Sequence, residues 1–168
     1  MSPRTGAEPA TDEQLGTVRG IVRDTRIAML TTLAQDGSLV SRPMGVQETE
    51  FDGDLWFFAD ADAHAAGEVA HDARANAAFV GSSSWLSISG RVGVVRDQET
   101  IRELWGAGAE AWFPDGPETP GVVLLRLHAE TAEFWSAPGG RLVTAVSFVK
   151  AKVTGERFEG GQNETVGL

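Results

Sequence analysis

Two short segments hold the residues best suited to chemistry. Ser41-Arg42-Pro43-Met44 lies inside a run that reads as a strand, and Leu55-Trp56-Phe57-Phe58-Ala59-Asp60 closes the next strand at the expected start of a helix. An arginine beside a helix N-terminus is a phosphate site by charge, hydrogen bonding and dipole together. Met44, Phe57 and Phe58 would wall it with apolar surface. A phosphate hook next to an apolar slot fits a mononucleotide that carries a large flat ring.

Other chemistries find less support. His64, His71 and His128 stand singly, without the spacing of a metal pair. His64 and His71 lie seven apart on one expected helix, and a solvated helix face accounts for that more simply. Gly81-Ser82-Ser83-Ser84 lacks the strand-elbow-helix setting of a nucleophile and reads as a turn. Asp52 and Asp54 flank a turn glycine. Asp60 and Asp62 lack the bidentate glutamate of a calcium loop. With no cysteine, the chain has no disulfide, thiolate metal site or thiol nucleophile. Fourteen basic against 24 acidic residues give a net charge of −10, which repels phosphate backbones and argues against nucleic-acid binding. No apolar run follows Arg4 and none is long enough to span a bilayer, so neither a leader nor a membrane segment is expected, and the expected location is cytoplasmic. Five tryptophans and no tyrosine are unusual in 168 residues; tryptophan favours interfaces and pockets for flat ligands.

The elements that must position these residues are legible in part. Residues 1–10 read as a disordered tail. Thr11 with Gln14 forms a capping box for a helix through Arg23, with Leu15, Val18 and Val22 on one face. Ile27–Leu33 reads as a strand, and Asp36-Gly37 turns it into a return strand over Leu39–Thr49. Pro43 lacks the N–H of a central ladder, so that strand is bent, bulged or at an edge. A second Asp-Gly turn leads to the strand over Leu55–Ala59, which suggests a three-stranded meander. Asp62 is expected to cap a helix from Ala63 to His71, followed by a strand over Asn76–Val80. Leu86, Ile88, Val92 and Val94 then alternate with polar residues as a half-buried strand does. Asp97 caps a helix bearing Ile101, Leu104 and Trp105. Gly106–Pro120 reads as a loop pinned by Trp112 and Phe113. Val122–Leu127 and Thr131–Trp135 read as a hairpin turning at His128-Ala129-Glu130, and residues 142–153 as a final helix. The sum is one domain over 11–155 with an exposed tail over 156–168. Its class is α+β, an antiparallel β-barrel with peripheral helices.

Several blocks carry a family resemblance. They are IAMLTT with the Asp36-Gly37 turn, SRPM at 41–44, FDGDLWFFAD at 51–60, SISG at 87–90, LWGAGAEAWFP at 104–114, FWSAPGGRLV at 134–143, and KVTGERF. In order and spacing the chain resembles the pyridoxamine 5′-phosphate oxidase-like flavoproteins, in particular the general stress protein 26 branch. The resemblance implies a split β-barrel homodimer that holds FMN at the subunit interface, with oxidoreductase chemistry supplied by the flavin. It implies that Arg42 grips the phosphate and that the backbone of Met44, Gly45 and Val46 faces the ring. Phe58 and Ala59 would meet the ribityl-phosphate end, with Pro43, Phe57 and Asp60 beside them. Trp105, Trp112 and Trp135 are candidates for the wall that the partner subunit closes.

The chain departs from the family pattern at the phosphate end. Where relatives place a threonine, then a serine and basic residues, this sequence has Ala59, Ala63, His64 and Ala65. Losing two charge-assisted hydrogen bonds at about 1.5–3 kcal/mol each weakens binding by about 10²–10⁴-fold. A protonated His64 would restore part of this. Three outcomes follow: FMN bound weakly, FAD or a deazaflavin in its place, or a non-catalytic ligand-binding stress protein with a degenerate flavin site. Pyridoxamine phosphate oxidation itself is not expected, because no basic residue follows Arg157.

Overall fold

The first helix, α1 (Asp12–Thr25), starts where Thr11 accepts the Gln14 N–H and the Gln14 side chain accepts the Thr11 N–H, as its capping box requires. It ends at Arg26, which takes a left-handed conformation at φ 56° and turns the chain into β1 (Ile27–Leu33). The computed structural model describes residues 8–136 and 162–168, so the helix expected over 142–153 lies outside the described residues. After β1 come β2 (Leu39–Gly45), β3 (Asp54–Asp60), α2 (His64–His71), β4 (Arg74–Val80) and β5 (Ser84–Val95). Then follow α3 (Gln98–Glu103), α4 (Ala107–Trp112), β6 (Val122–Ser136) and β7 (Gln162–Gly167).

All strands pair antiparallel, in the order β2-β1-β4-β5-β6-β3, with β7 also on β6. Pro43 therefore sits on an end strand, where its missing N–H disturbs only one side of the ladder. The expected meander does not form. β3 leaves β2 and pairs with β6 at the opposite end of the sheet, Asp54 facing His128 and Asp60 facing Val122. Just beyond β2, the Gln47 N–H bonds the Trp56 carbonyl at 3.0 Å, so the two ends of the sheet curve together. The result is an α+β antiparallel split barrel.

The expected last hairpin is a single fifteen-residue strand. His128 and Ala129 pair with Arg91 and Gly90 of β5, while Ser89 pairs with Thr131, which leaves Glu130 as the extra residue of a bulge. The polar His-Ala-Glu triplet imitates a turn, but it marks the point where the far edge of β6 changes partner. β3 occupies that edge up to His128, and β7 takes it from Thr131. The Glu130 carbonyl is not orphaned, because the Leu168 N–H reaches it at 3.0 Å. Gly90 lies against this bulge so closely that a Cβ would stand 2.0 Å from the His128 carbonyl oxygen.

Four further expectations are corrected. The tail read as exposed over 156–168 includes β7, whose Val166 is buried in the core. Pro9 and Ala10, read as tail, pair with Gly167. The cap of α2 is Ala63 without a side-chain bond, because the helix begins one residue later than expected, at His64; the Asp62 N–H donates to Asp60 Oδ1 at 2.8 Å. The loop read over 106–120 contains α4, and Trp112 on it is 83% exposed instead of pinning anything.

One core fills the concave side of the sheet. Leu30, Phe57, Phe79, Ile88 and Leu125 pack there with Val18, Ile21 and Val22 of α1 and Ala65, Ala66 and Val69 of α2. A smaller cluster lies on the other side of β3 and β6, where Ile101, Val122 and Leu124 meet Trp56, Phe58, Leu104, Trp105 and Phe113. Val122 to Leu125 are thus buried on both faces, as their unbroken apolar run suggests. Among the described residues no helix is long and apolar enough to cross a membrane.

Candidate functional site

A cavity of 1090 Å³ opens where the ends of β2 and β3 meet the start of α2 and the α3–α4 segment. Sites for small molecules and cofactors usually enclose about 300–1,000 Å³. The cavity brings together Arg42, Pro43, Met44, Gly45 and Val46 on one side and Phe58, Ala59, Asp60 and His64 on another. Trp105 and Trp112 line its outer wall. The strand period decides which of the aromatic pair takes part. Phe57 points into the main core at 0% exposure, and Phe58, one residue on, points the other way toward Trp105. The two rings meet edge to face with centroids 5.2 Å apart. Trp135 is also absent from the cavity; it lies across from Trp85 near the far end of β6.

Arg42 does not project as a free hook. Its Nη2 donates to Glu68 Oε2 at 2.6 Å and its Nη1 to Thr32 Oγ1 at 2.5 Å. The Thr32 hydroxyl in turn donates to the same carboxylate oxygen at 2.5 Å, closing a ring of three residues. Thr32 is fully buried, and the Arg42 and Glu68 side chains keep only 20% and 11% of their exposure. Burial alone would push the Glu68 carboxyl up. The hydrogen bonds from Thr32 and Arg42, with the charges of Arg42 and His64, outweigh it and hold Glu68 below the ordinary carboxylate range.

Neither Thr32 nor Glu68 stands out in the sequence. A usable signal was there: Glu68 follows His64 by four residues, which places both on one face of α2. The rim holds another residue that the sequence reading missed. Arg26 keeps its left-handed backbone without being glycine, and its carbonyl accepts the Val46 N–H at 2.8 Å. Its guanidinium pairs with Glu48, and all three of these residues line the cavity mouth. No group of three or more metal-ligating side chains occurs among the described residues.

The chain matches the pyridoxamine 5′-phosphate oxidase like family over residues 13–159. It belongs to that family. A structure named as a general stress protein 26 from Jannaschia sp. CCS1 superposes with a TM-score of 0.75 at 26% identity, over 94% of this chain and 100% of the other. A general stress FMN/FAD binding protein from Xanthomonas citri superposes with a TM-score of 0.65 at 29% identity, over 75% of this chain and 90% of the other. Protein bli-3 of Neurospora crassa is 28% identical over 135 residues, which is 73% of this chain and 65% of that protein. This family member therefore spans less than two thirds of the curated relative it matches.

Proposed function

We propose that this family member binds a flavin in the 1090 Å³ cavity, as a homodimer with oxidoreductase capability. The observation that carries the reading is the cavity's wall. Met44, Val46, Phe58 and Trp105 give a planar ring apolar surface, while the backbone of Gly45 and the start of α2 give hydrogen-bonding groups. The X. citri relative, named for FMN/FAD binding, supports the same reading. Bound there, a flavin would supply hydride or electron transfer. The chain's own residues bind the ring, exclude water and set the local charge. No side chain in the cavity is assigned as a general acid or base.

The outer face of the sheet supports self-association. Ile27, Met29, Val80 and Trp85 are exposed at 56%, 41%, 66% and 42%, and Met29 and Trp85 pair across strands with Pro43 and Trp135. Ile27 and Pro43 also line the cavity, so this apolar face continues into the site. Exposed apolar surface of this extent usually marks an interface.

A second reading, a ligand-binding stress protein with a degenerate flavin site, is favoured by one observation. The phosphate end presents Ala59, Ala63 and Ala65 and an arginine already paired. A visible absorbance spectrum of the purified protein, then titration with FMN, riboflavin and a deazaflavin, decides between the readings. A yellow protein, or saturable binding of FMN or riboflavin, is the expected result. Binding of the deazaflavin alone would reassign the cofactor. Binding of none would withdraw the oxidoreductase reading.

A further inference from the structure

We infer that Glu68 makes the cavity indifferent to a terminal phosphate, so that the ligand is selected by its planar ring and carries a tail of little charge. The inference deepens the flavin reading and rests on it for the nature of the ring. The charge argument stands on side-chain geometry alone. Arg42 has the position of a phosphate contact, yet Glu68 holds it at 2.6 Å, and Thr32 spends its hydroxyl proton on the same carboxylate. The pair keeps 20% and 11% side-chain exposure, so the attraction is stronger than between fully solvated charges.

Among the described residues, the surroundings do not make up the loss. Ala59, Ala63 and Ala65 bring no side-chain donors to the cavity, and Asp60 adds a second carboxylate. Among the described residues, His64 and the backbone at the start of α2 are the donors that remain at this end. A phosphate dianion would therefore meet an arginine already paired to Glu68, with the Asp60 carboxylate on the cavity wall. A hydroxylated, uncharged tail meets no such penalty and still finds an acceptor in Asp60. Arg42 retains guanidinium N–H groups beyond the two engaged ones, so the removal of one negative charge at position 68 is enough to convert the site.

FMN and riboflavin share one ring and differ by the phosphate, which makes them the test pair. Their affinities for the wild-type protein, read by quenching of tryptophan fluorescence, are expected to agree within about threefold. In Glu68→Gln, FMN should gain about tenfold or more while riboflavin stays unchanged, since a charge-assisted contact becomes available. A flavin-free arm uses inorganic phosphate against chloride at equal ionic strength. Phosphate should raise the melting temperature of Glu68→Gln but not of the wild type, and adding Arg42→Ala should abolish the gain.

A wild type that prefers FMN by a hundredfold overturns the inference, as does one that phosphate stabilises as much as it does Glu68→Gln. So does a Glu68→Gln variant that loses FMN affinity, which would make Glu68 a positioning residue that presents Arg42. If neither flavin binds but the phosphate arm behaves as expected, the flavin reading falls and the role of Glu68 stands. If Glu68→Gln does not fold, the wild-type FMN-to-riboflavin ratio decides the matter.

Discussion

Replacing Arg42 with alanine should invert the way this protein's stability responds to acid. In the wild type Glu68 titrates below its ordinary value near 4.5, held there by Thr32 and Arg42 against burial. Its contribution is therefore present above that value and fades as the pH falls through the lowered one. Without the guanidinium, only the Thr32 hydroxyl and the His64 charge oppose burial, the largest single influence, and the carboxyl is expected to rise above its unfolded value. The folded state then takes up a proton before the unfolded chain does, and relative stability grows as the pH falls. At pH 7 the variant leaves a shielded carboxylate without its cation. Breaking a fully buried pair loses about 3–5 kcal/mol and a surface pair about 0–1. With 20% and 11% exposure the pair lies between these limits, so about 2–3 kcal/mol is expected. Urea denaturation at pH 7 and pH 5 measures both quantities. The charge of His64 also acts on Glu68, so the series is repeated in a His64→Asn background. Adding Glu68→Gln to Arg42→Ala should recover most of the deficit at pH 7. A loss below about 0.5 kcal/mol, or a deficit equal at both pH values, would refute the coupling.

Three further outcomes are expected. Gly90→Ala drives a methyl group to 2.0 Å from the His128 carbonyl oxygen, against backbone that cannot swing aside as a side chain could, and should destabilise by at least the ~3 kcal/mol at the upper end of overpacking, as read by urea midpoint. Thr11→Ala removes a reciprocal cap and should lower stability by about 1 kcal/mol without altering ligand affinity. Trp85→Asp places a charge on the exposed apolar sheet face and should shift the protein from dimer to monomer in sedimentation. A wild type that sediments as a monomer would remove the dimer from the proposal.

The local elements were more legible than their partners. Ile27–Leu33 and the Thr11 box follow from short-range chemistry, and the structure places them as read. The alternation along β5 likewise holds to Val92. The second Asp-Gly turn was a sound turn signal, but a turn fixes only a reversal of direction. It does not determine which edge will satisfy the strand that follows, and β3 finds its ladder on β6. His128-Ala129-Glu130 misled for a related reason, since a bulge and a turn both tolerate polar residues between apolar runs. Gly106 and Gly108 hid α4 because glycine lowers helix propensity without forbidding a single turn or two. Around the cavity, Arg42, Met44, Phe58 and His64 come together, whereas strand parity turns Phe57 into the main core and register places Trp135 opposite Trp85. Glu68 shared a helix face with His64, but its ion pair with Arg42 joins a helix to a strand and leaves no mark in either segment alone.

The partner change along β6 also has a kinetic side. β1 and β2, or β4 and β5, meet across short turns and can close early. β3 cannot: Asp54 waits for a residue 74 positions further on. Loop closure over such distances slows folding, and β3 carries Phe58 to Asp60, one side of the cavity. The cavity is thus among the last features to take shape and among those that require the whole sheet. A ligand bound there reports on the complete domain, so its stabilisation should appear as slower global unfolding and not as local tightening around the mouth.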